Sequence, residues 1–397
     1  MKFKNKGRKI YKTKEKNYYG KSTAGKILSA ALSLLLLGGI GFLGYSVAEP
    51  IINYSKKRGD SDAVITETTD ASQVTSFDIT DNASEVMNPS EASAEQLMIK
   101  SLTTADLTDS ESLREALAGM ADSGIEFVSV PLKVGRGEIY YSSRVTEAQL
   151  CGAVKSQLTL YEISKAIRDS GLKPAAEINI LHDNIIAKTY PDTGYKIESD
   201  GSCWLDNDSE NGGEPWISPF SDEALTYVYS IADEVAAADF EKVICSDIVF
   251  PPFREKDIEL IGAELRSSDG YTALTSIANT LYSKITNGGE SMMLEVSADD
   301  IIRGNDDVIQ PMLLNVNTLV LKIDLLELEK GIDSGSMVYE FNGTPEQNAV
   351  KALELTEEKL SDYNVVVRIA GDGKSLDSLK KVKDVISDLG YNSFIIG

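Results

Sequence analysis

The chain has one histidine in 397 residues, His182, and that scarcity removes whole classes of chemistry. A multi-histidine metal centre is excluded. A Ser-His-Asp or Cys-His mechanism would have to run through His182, and no nucleophile motif accompanies it. Cysteine is nearly as scarce: Cys151, Cys203 and Cys245 are an odd set without a CxxC pair, which indicates neither a disulfide framework nor a zinc site. Cys245, inside an apolar run, reads as a buried thiol. Basic charge is also short. Lys and Arg number 39 against 62 Asp and Glu, a formal net charge of -23, which argues against nucleic acid as a partner of the main domain. No GxGxxG follows the first strand pattern, and Gly135-Arg136-Gly137 alone is too little to mark a phosphate site. Asp206, Asn207 and Asp208 begin like a calcium loop, but no Glu stands at the required spacing. None of these patterns calls for a metal or a cofactor.

The basic residues that are present are unevenly placed. Ten of the 39 lie in residues 1–26, where Glu15 is the only acid. Residues 27–47 then read ILSAALSLLLLGGIGFLGYSV without a charge, roughly the 20 apolar residues that span a bilayer core. A basic flank before an apolar span stays in the cytoplasm, so the rest of the chain is expected outside. A cleaved signal peptide is the rival, with Ser46-Val47-Ala48 as a small-residue site. Residues 48–95 shift to Ser, Thr, Asp, Glu and Ala with few aromatics, above all from Gly59 onward. Such a segment cannot bury enough apolar surface to offset ordering, so it is expected to be a disordered stalk.

From residue 96 to residue 397 the pattern alternates. Strands are expected at Leu97–Leu102, Ile125–Leu132, Lys173–Leu181, Lys242–Phe250, Met292–Ser297, Thr318–Ile323, Asn364–Ile369 and Asn392–Ile396. Amphipathic helices fall between most of them, at Ser112–Ser123, Gln157–Ser170, Asp222–Ala238, Tyr271–Ile285, Pro345–Leu360 and Ser375–Leu389. Short apolar strands separated by helices indicate a parallel sheet. Eight of them suit an α/β fold of the closed (β/α)8 TIM-type barrel; an open doubly wound sheet is the alternative. Trp204–Phe253 organises this region: a polar Gly/Asn loop between two tryptophans, a helix capped by Ser221, and an apolar strand interrupted by Cys245, Ser246 and Asp247 and stopped by Pro251-Pro252.

Several of these stretches occur together in one known family. Leu132-Lys133 precedes Gly137-Glu138-Ile139-Tyr140-Tyr141-Ser142. Leu181-His182-Asp183 follows the third strand, with Ala187 and Pro191 beyond it. Trp204, Gly213, Trp216 and Pro219-Phe220 come next in order, and Ser297-Ala298-Asp299 follows the fifth strand. In this order the motifs resemble the bacterial family described as "putative glycosyl hydrolase", over most of Leu97 to about Gly304. The resemblance implies an amylase-like barrel acting on carbohydrate. The chain also departs from that family. Aligned through Phe250-Pro251, the strand-four aspartate of the family falls on Ser246, its tyrosine on Asp247 and its arginine on Val249. The arginine of strand three falls on Glu177, and the aspartates of strand two on Pro131 and Val134. Leu321-Lys322-Ile323-Asp324 stands where a Met-Val-Tyr-Pro run is expected. Strand side chains alternate faces, so Asp247 replaces Ser246 only through a bulge or a register change.

Glycoside hydrolysis needs two carboxyls flanking the bond. The best pair is Asp247, ending strand four, and Glu295, late in strand five. Neighbouring strands lie about 4.8 Å apart, so the pair could have the separation of a retaining site. Glu177 and Asp183 are reserves. Trp204 and Trp216 could stack on sugar rings or anchor their loop in the core. Lys133 could bind a hydroxyl or carboxylate, or snorkel at the surface. Two functions follow: a membrane-anchored, extracytoplasmic glycoside hydrolase acting on a cell-wall or environmental glycan, and a catalytically inactive barrel that binds glycan or an envelope protein.

Overall fold

The computed structural model of the protein describes residues 97–396 apart from 121–123, 263–264, 266–268 and 372–375. The expected cytoplasmic, membrane-spanning and stalk segments, 1–26, 27–47 and 48–95, lie outside the described residues. Among the described residues no helix is long and apolar enough to cross a membrane.

Strands β1 (Met98–Ser101), β2 (Phe127–Lys133), β3 (Lys173–Asn179), β4 (Lys242–Ser246), β5 (Ser291–Ser297) and β6 (Thr318–Asp324) pair in chain order. A small antiparallel hairpin follows, β7 (Ile332–Asp333) with β8 (Val338–Tyr339). β9 (Asn364–Ala370) then pairs with β6, and β10 (Phe394–Ile396) joins β9 to β1. The eight parallel strands close on themselves. Closure decides against the open doubly wound sheet, because each of these eight strands has a partner on both sides.

The helices form for local reasons that suit this arrangement. Asp222–Ala236 buries Ala224, Tyr227, Val228, Ile231, Ala232 and Val235, a three-and-four spacing that puts one stripe on the barrel. Its first turn is fixed by Ser221, whose hydroxyl accepts from the Ala224 amide, a cap of about 1 kcal/mol. Pro345–Leu360 starts with a capping box between Thr344 and Gln347. The outward faces of the strands and the inward stripes of the helices share one continuous core. Among the strands, the largest mismatch with the sequence pattern lies at the fourth, expected to run to Phe250 but ending at Ser246.

A candidate active site at the barrel mouth

The inward side chains stack in two layers. The lower is apolar: Ile99, Phe127, Ala175, Ile244, Met293, Val320, Val366 and Ile395 form one buried cluster with Leu97. Side chains two residues further along each strand face the same way. Those positions hold Ser101, Ser129, Glu177, Ser246, Glu295, Lys322 and Arg368. The barrel thus changes from hydrocarbon to charge within one layer, at the end where the strands finish and where such barrels place their sites.

Arg368 on β9 organises the charged layer. Its guanidinium reaches Glu177 through Nη1 at 3.0 Å and Nη2 at 2.9 Å, and Glu295 through Nε at 2.8 Å. Ser101 Oγ donates to Glu177 Oε1 at 3.1 Å. Burial works to raise the Glu177 carboxyl, but Arg368, backed by the Ser129 and Ser101 hydroxyls, overcomes it and holds Glu177 below the ordinary carboxylate value. Glu295 goes the other way. Burial raises it, Arg368 and Lys322 offset that in part, and Glu177 and Asp247 add to the rise. Burial disfavours the Lys322 ammonium, yet Glu295, Asp247 and Asp324 outweigh it and raise its pKa. Neither Arg368 nor Lys322 was singled out in the sequence. A shared signal marks them: Glu177, Glu295, Lys322 and Arg368 are each the fifth residue of their strand, a charge flanked on both sides by apolar residues.

Above this layer sits Asp247. Its backbone is left-handed, φ 53°, a conformation that Asp tolerates better than most residues. This residue ends the strand ladder and breaks the alternation. Ser246 keeps the inward face two residues beyond Ile244, and the left-handed turn brings Asp247 to the mouth as well. Asn179 Nδ2 donates to Asp247 Oδ2. His182 Nδ1 lies 3.8 Å from the same oxygen, and 40% of the Asp247 side chain is exposed. The bulge or register change expected for Asp247 is therefore replaced by a single left-handed residue.

The loop residues divide. Trp216 is half-buried and stacks on His182, with ring centroids 4.0 Å apart and planes at 10°. Its Nε1 donates to Asp206 Oδ2 at 3.1 Å. Burial holds the His182 imidazole below its ordinary pKa although Asp247 pulls the other way. Trp204 is 2% exposed and packs with Tyr195, Ile261 and Phe253, so it anchors the loop and offers no open face to a sugar. Lys133 and Asp183 are also buried, 2.9 Å apart; Lys133 Nζ donates to Asn179 O and Asp183 Oδ1 accepts from Ile186 N. Gly137 passes so close that a Cβ there would lie 2.0 Å from Asp183 Oδ1. This pair is enclosed in the barrel wall, so Lys133 is no snorkelling surface lysine, and neither it nor the reserve carboxylate Asp183 is open to substrate.

Beside the mouth, past the end of β4, lies a cleft of about 540 Å³ lined by Phe220, Phe250, Phe253, Arg303 and Asn305 among others. Phe220 and Phe250 stack with centroids 6.1 Å apart. Asn305 Nδ2 donates to Phe250 O at 3.0 Å and ties the two walls together.

Residues 101–298 match the family described as "Putative glycosyl hydrolase domain". Among solved structures, the glycoside hydrolase domain of PgaB (BpsB) from Bordetella bronchiseptica superposes with a TM-score of 0.53 at 14% identity, covering 76% of this chain and 93% of that one. The glycoside hydrolase domain of PelA from Pseudomonas aeruginosa gives 0.42 at 12%, over 76% and 94%. A hypothetical protein from Ruminiclostridium thermocellum gives 0.41 at 18%, over 49% and 95%. No curated protein sequence matches the chain. Residues 101–298 thus carry the match to the family described as "Putative glycosyl hydrolase domain", and a closed barrel of eight parallel strands is built around them.

Proposed function

We propose that the barrel hydrolyses a glycosidic bond at its mouth, in a cell-wall or environmental glycan, with the domain held outside the cell by residues 27–47. The observation that carries this reading is Asp247: a solvent-reachable carboxylate fixed by Asn179 above the buried Glu177–Arg368–Glu295 array. Asp247 is placed to balance the positive charge that develops on the sugar ring, and Glu295, beneath it, adds to the negative field. Trp216, backed by His182, is the loop aromatic beside this point. The family and the glycoside hydrolase domain of PgaB support carbohydrate as the ligand class. The charge asymmetry around residues 27–47 supports the anchor.

A second reading is favoured by Ser246, which stands where the family pattern has a carboxylate: the barrel binds glycan without turning it over. One experiment separates the two. The purified full chain, in mild detergent, is incubated with peptidoglycan, poly-N-acetylglucosamine, chitin and α-glucans, and new reducing ends are measured beside binding. Hydrolysis is expected, with kcat falling at least about 100-fold in Asp247→Asn, because one charged group at the reacting centre is removed. Saturable binding with no new reducing ends on any glycan would establish the second reading.

A further inference from the structure

We propose that Asp300, at the start of the helix after β5, is the group that protonates the leaving oxygen, with the leaving sugar lodged in the aromatic cleft. This inference rests on the hydrolase reading above. A proton donor must be neutral at working pH, must stand beside the charge-balancing carboxylate, and must open on the side where the leaving group departs. Glu295 meets the first demand poorly, because Arg368 Nε sits 2.8 Å from it, a partner for a carboxylate. Asp300 answers the first two, and Asn305 connects it to the cleft on the leaving side.

Asp300 follows β5, the strand paired to β4, so it stands on the Asp247 side of the mouth. Its neighbour Asn305 joins it to the cleft: Nδ2 lies 3.5 Å from Asp300 Oδ1 and 3.0 Å from Phe250 O. Arg303, Gly304 and Asn305, immediately beyond its helix, form one wall of the cleft; Phe250 to Phe253, immediately beyond Asp247, form another. Asp300 is therefore tied through Asn305 to the wall of the cleft and is within electrostatic reach of Asp247. The charged groups acting on it are Asp299 and Asp247, which disfavour ionisation, and Arg303, which favours it but keeps Asp299 at 3.6 Å. Burial first, then Asp299 and Asp247, push the Asp300 carboxyl up to about 7.

The step balances as follows. The Asp300 hydroxyl gives its proton to the glycosidic oxygen as the bond from that oxygen to the anomeric carbon breaks. The bonding electrons stay with the oxygen, and Asp300 becomes a carboxylate. Asp247 balances the cationic ring. Water then forms the new bond to the anomeric carbon, and its proton goes to Asp300 or to Asp247 according to the face it attacks.

Leaving groups that need no proton provide the test. Wild type, Asp300→Asn and Asp247→Asn, each as the full chain, are assayed on the cleaved polysaccharide and on the dinitrophenyl glycoside of the same sugar. Asp300→Asn is expected to lose at least about 100-fold in kcat/KM on the polysaccharide and less than about 10-fold on the dinitrophenyl glycoside. Asp247→Asn loses on both. In wild type the basic limb of the polysaccharide pH profile lies near 7 and is absent with the activated substrate. Asn305→Ala, which removes the amide but keeps the acid, moves that limb upward. Equal losses on both substrates, or none, with Asp300→Asn would overturn the assignment. A wild type inactive on both would instead overturn the hydrolase reading on which it rests.

Discussion

Arg368 is the residue whose removal should unsettle the barrel most. Among the described residues it is the one cation within ion-pair distance of both Glu177 and Glu295, and both carboxylates sit in a layer walled below by hydrocarbon. Replacing it by Met keeps volume but strands two buried charges, a loss of about 3–5 kcal/mol in comparable buried ion pairs. The pH dependence has a definite sign. Glu177 is held below its ordinary value in the folded protein. It therefore contributes stability above the unfolded carboxylate range, and that stability is lost as pH falls through its folded value. Arg368→Met removes that contribution. The gap between parent and variant in urea unfolding is expected to be widest above the unfolded carboxylate range and to narrow as pH falls through the folded value of Glu177. A gap that stays constant with pH would mean that Arg368 acts through packing and not through its carboxylates.

At the scale of elements, the eight strands were legible because each is a short apolar run between helical patterns. Their ends were not. Strand four reads as apolar to Phe250, and nothing in a hydropathy pattern announces a left-handed Asp at 247. That one backbone state decides where the carboxylate points. The charged layer was half legible: Glu177 and Glu295 attract attention as acids, whereas Arg368 in NVVVRIA has apolar neighbours on both faces and reads as a chance surface charge. Only alignment of the strands by depth brings the four charges together. The tryptophan loop was ambiguous for a similar reason, since Gly/Asn-rich loops carry no periodicity to say which ring is buried. The structure separates the two, and the separation can be measured. Trp204→Ala is expected to cost about 3–5 kcal/mol, as for a large core aromatic. Trp216→Ala should cost about 1 kcal/mol, since its stack on His182 is half-exposed. The chain has two tryptophans, so each variant leaves one emitter to report its own unfolding in urea. Equal costs would contradict the division of the loop into an anchor and a mouth residue.

At the scale of the whole molecule, the proposed arrangement rests on charge. Its acidic surface is repelled by anionic lipid headgroups, while the lysine-rich start is attracted to them. Residues 48–95, between the two, have the composition of a linker. The expected topology is thus basic residues inside, residues 27–47 across, and barrel outside. Protease added to intact protoplasts of a strain producing the full chain should remove an epitope on the barrel and spare one on residues 1–26. A protected barrel epitope would sink the arrangement and the extracellular glycan with it. Release of the barrel into the medium, with a new N-terminus near Ala48, would instead identify the apolar run as a cleaved signal and leave the barrel on the same side of the membrane.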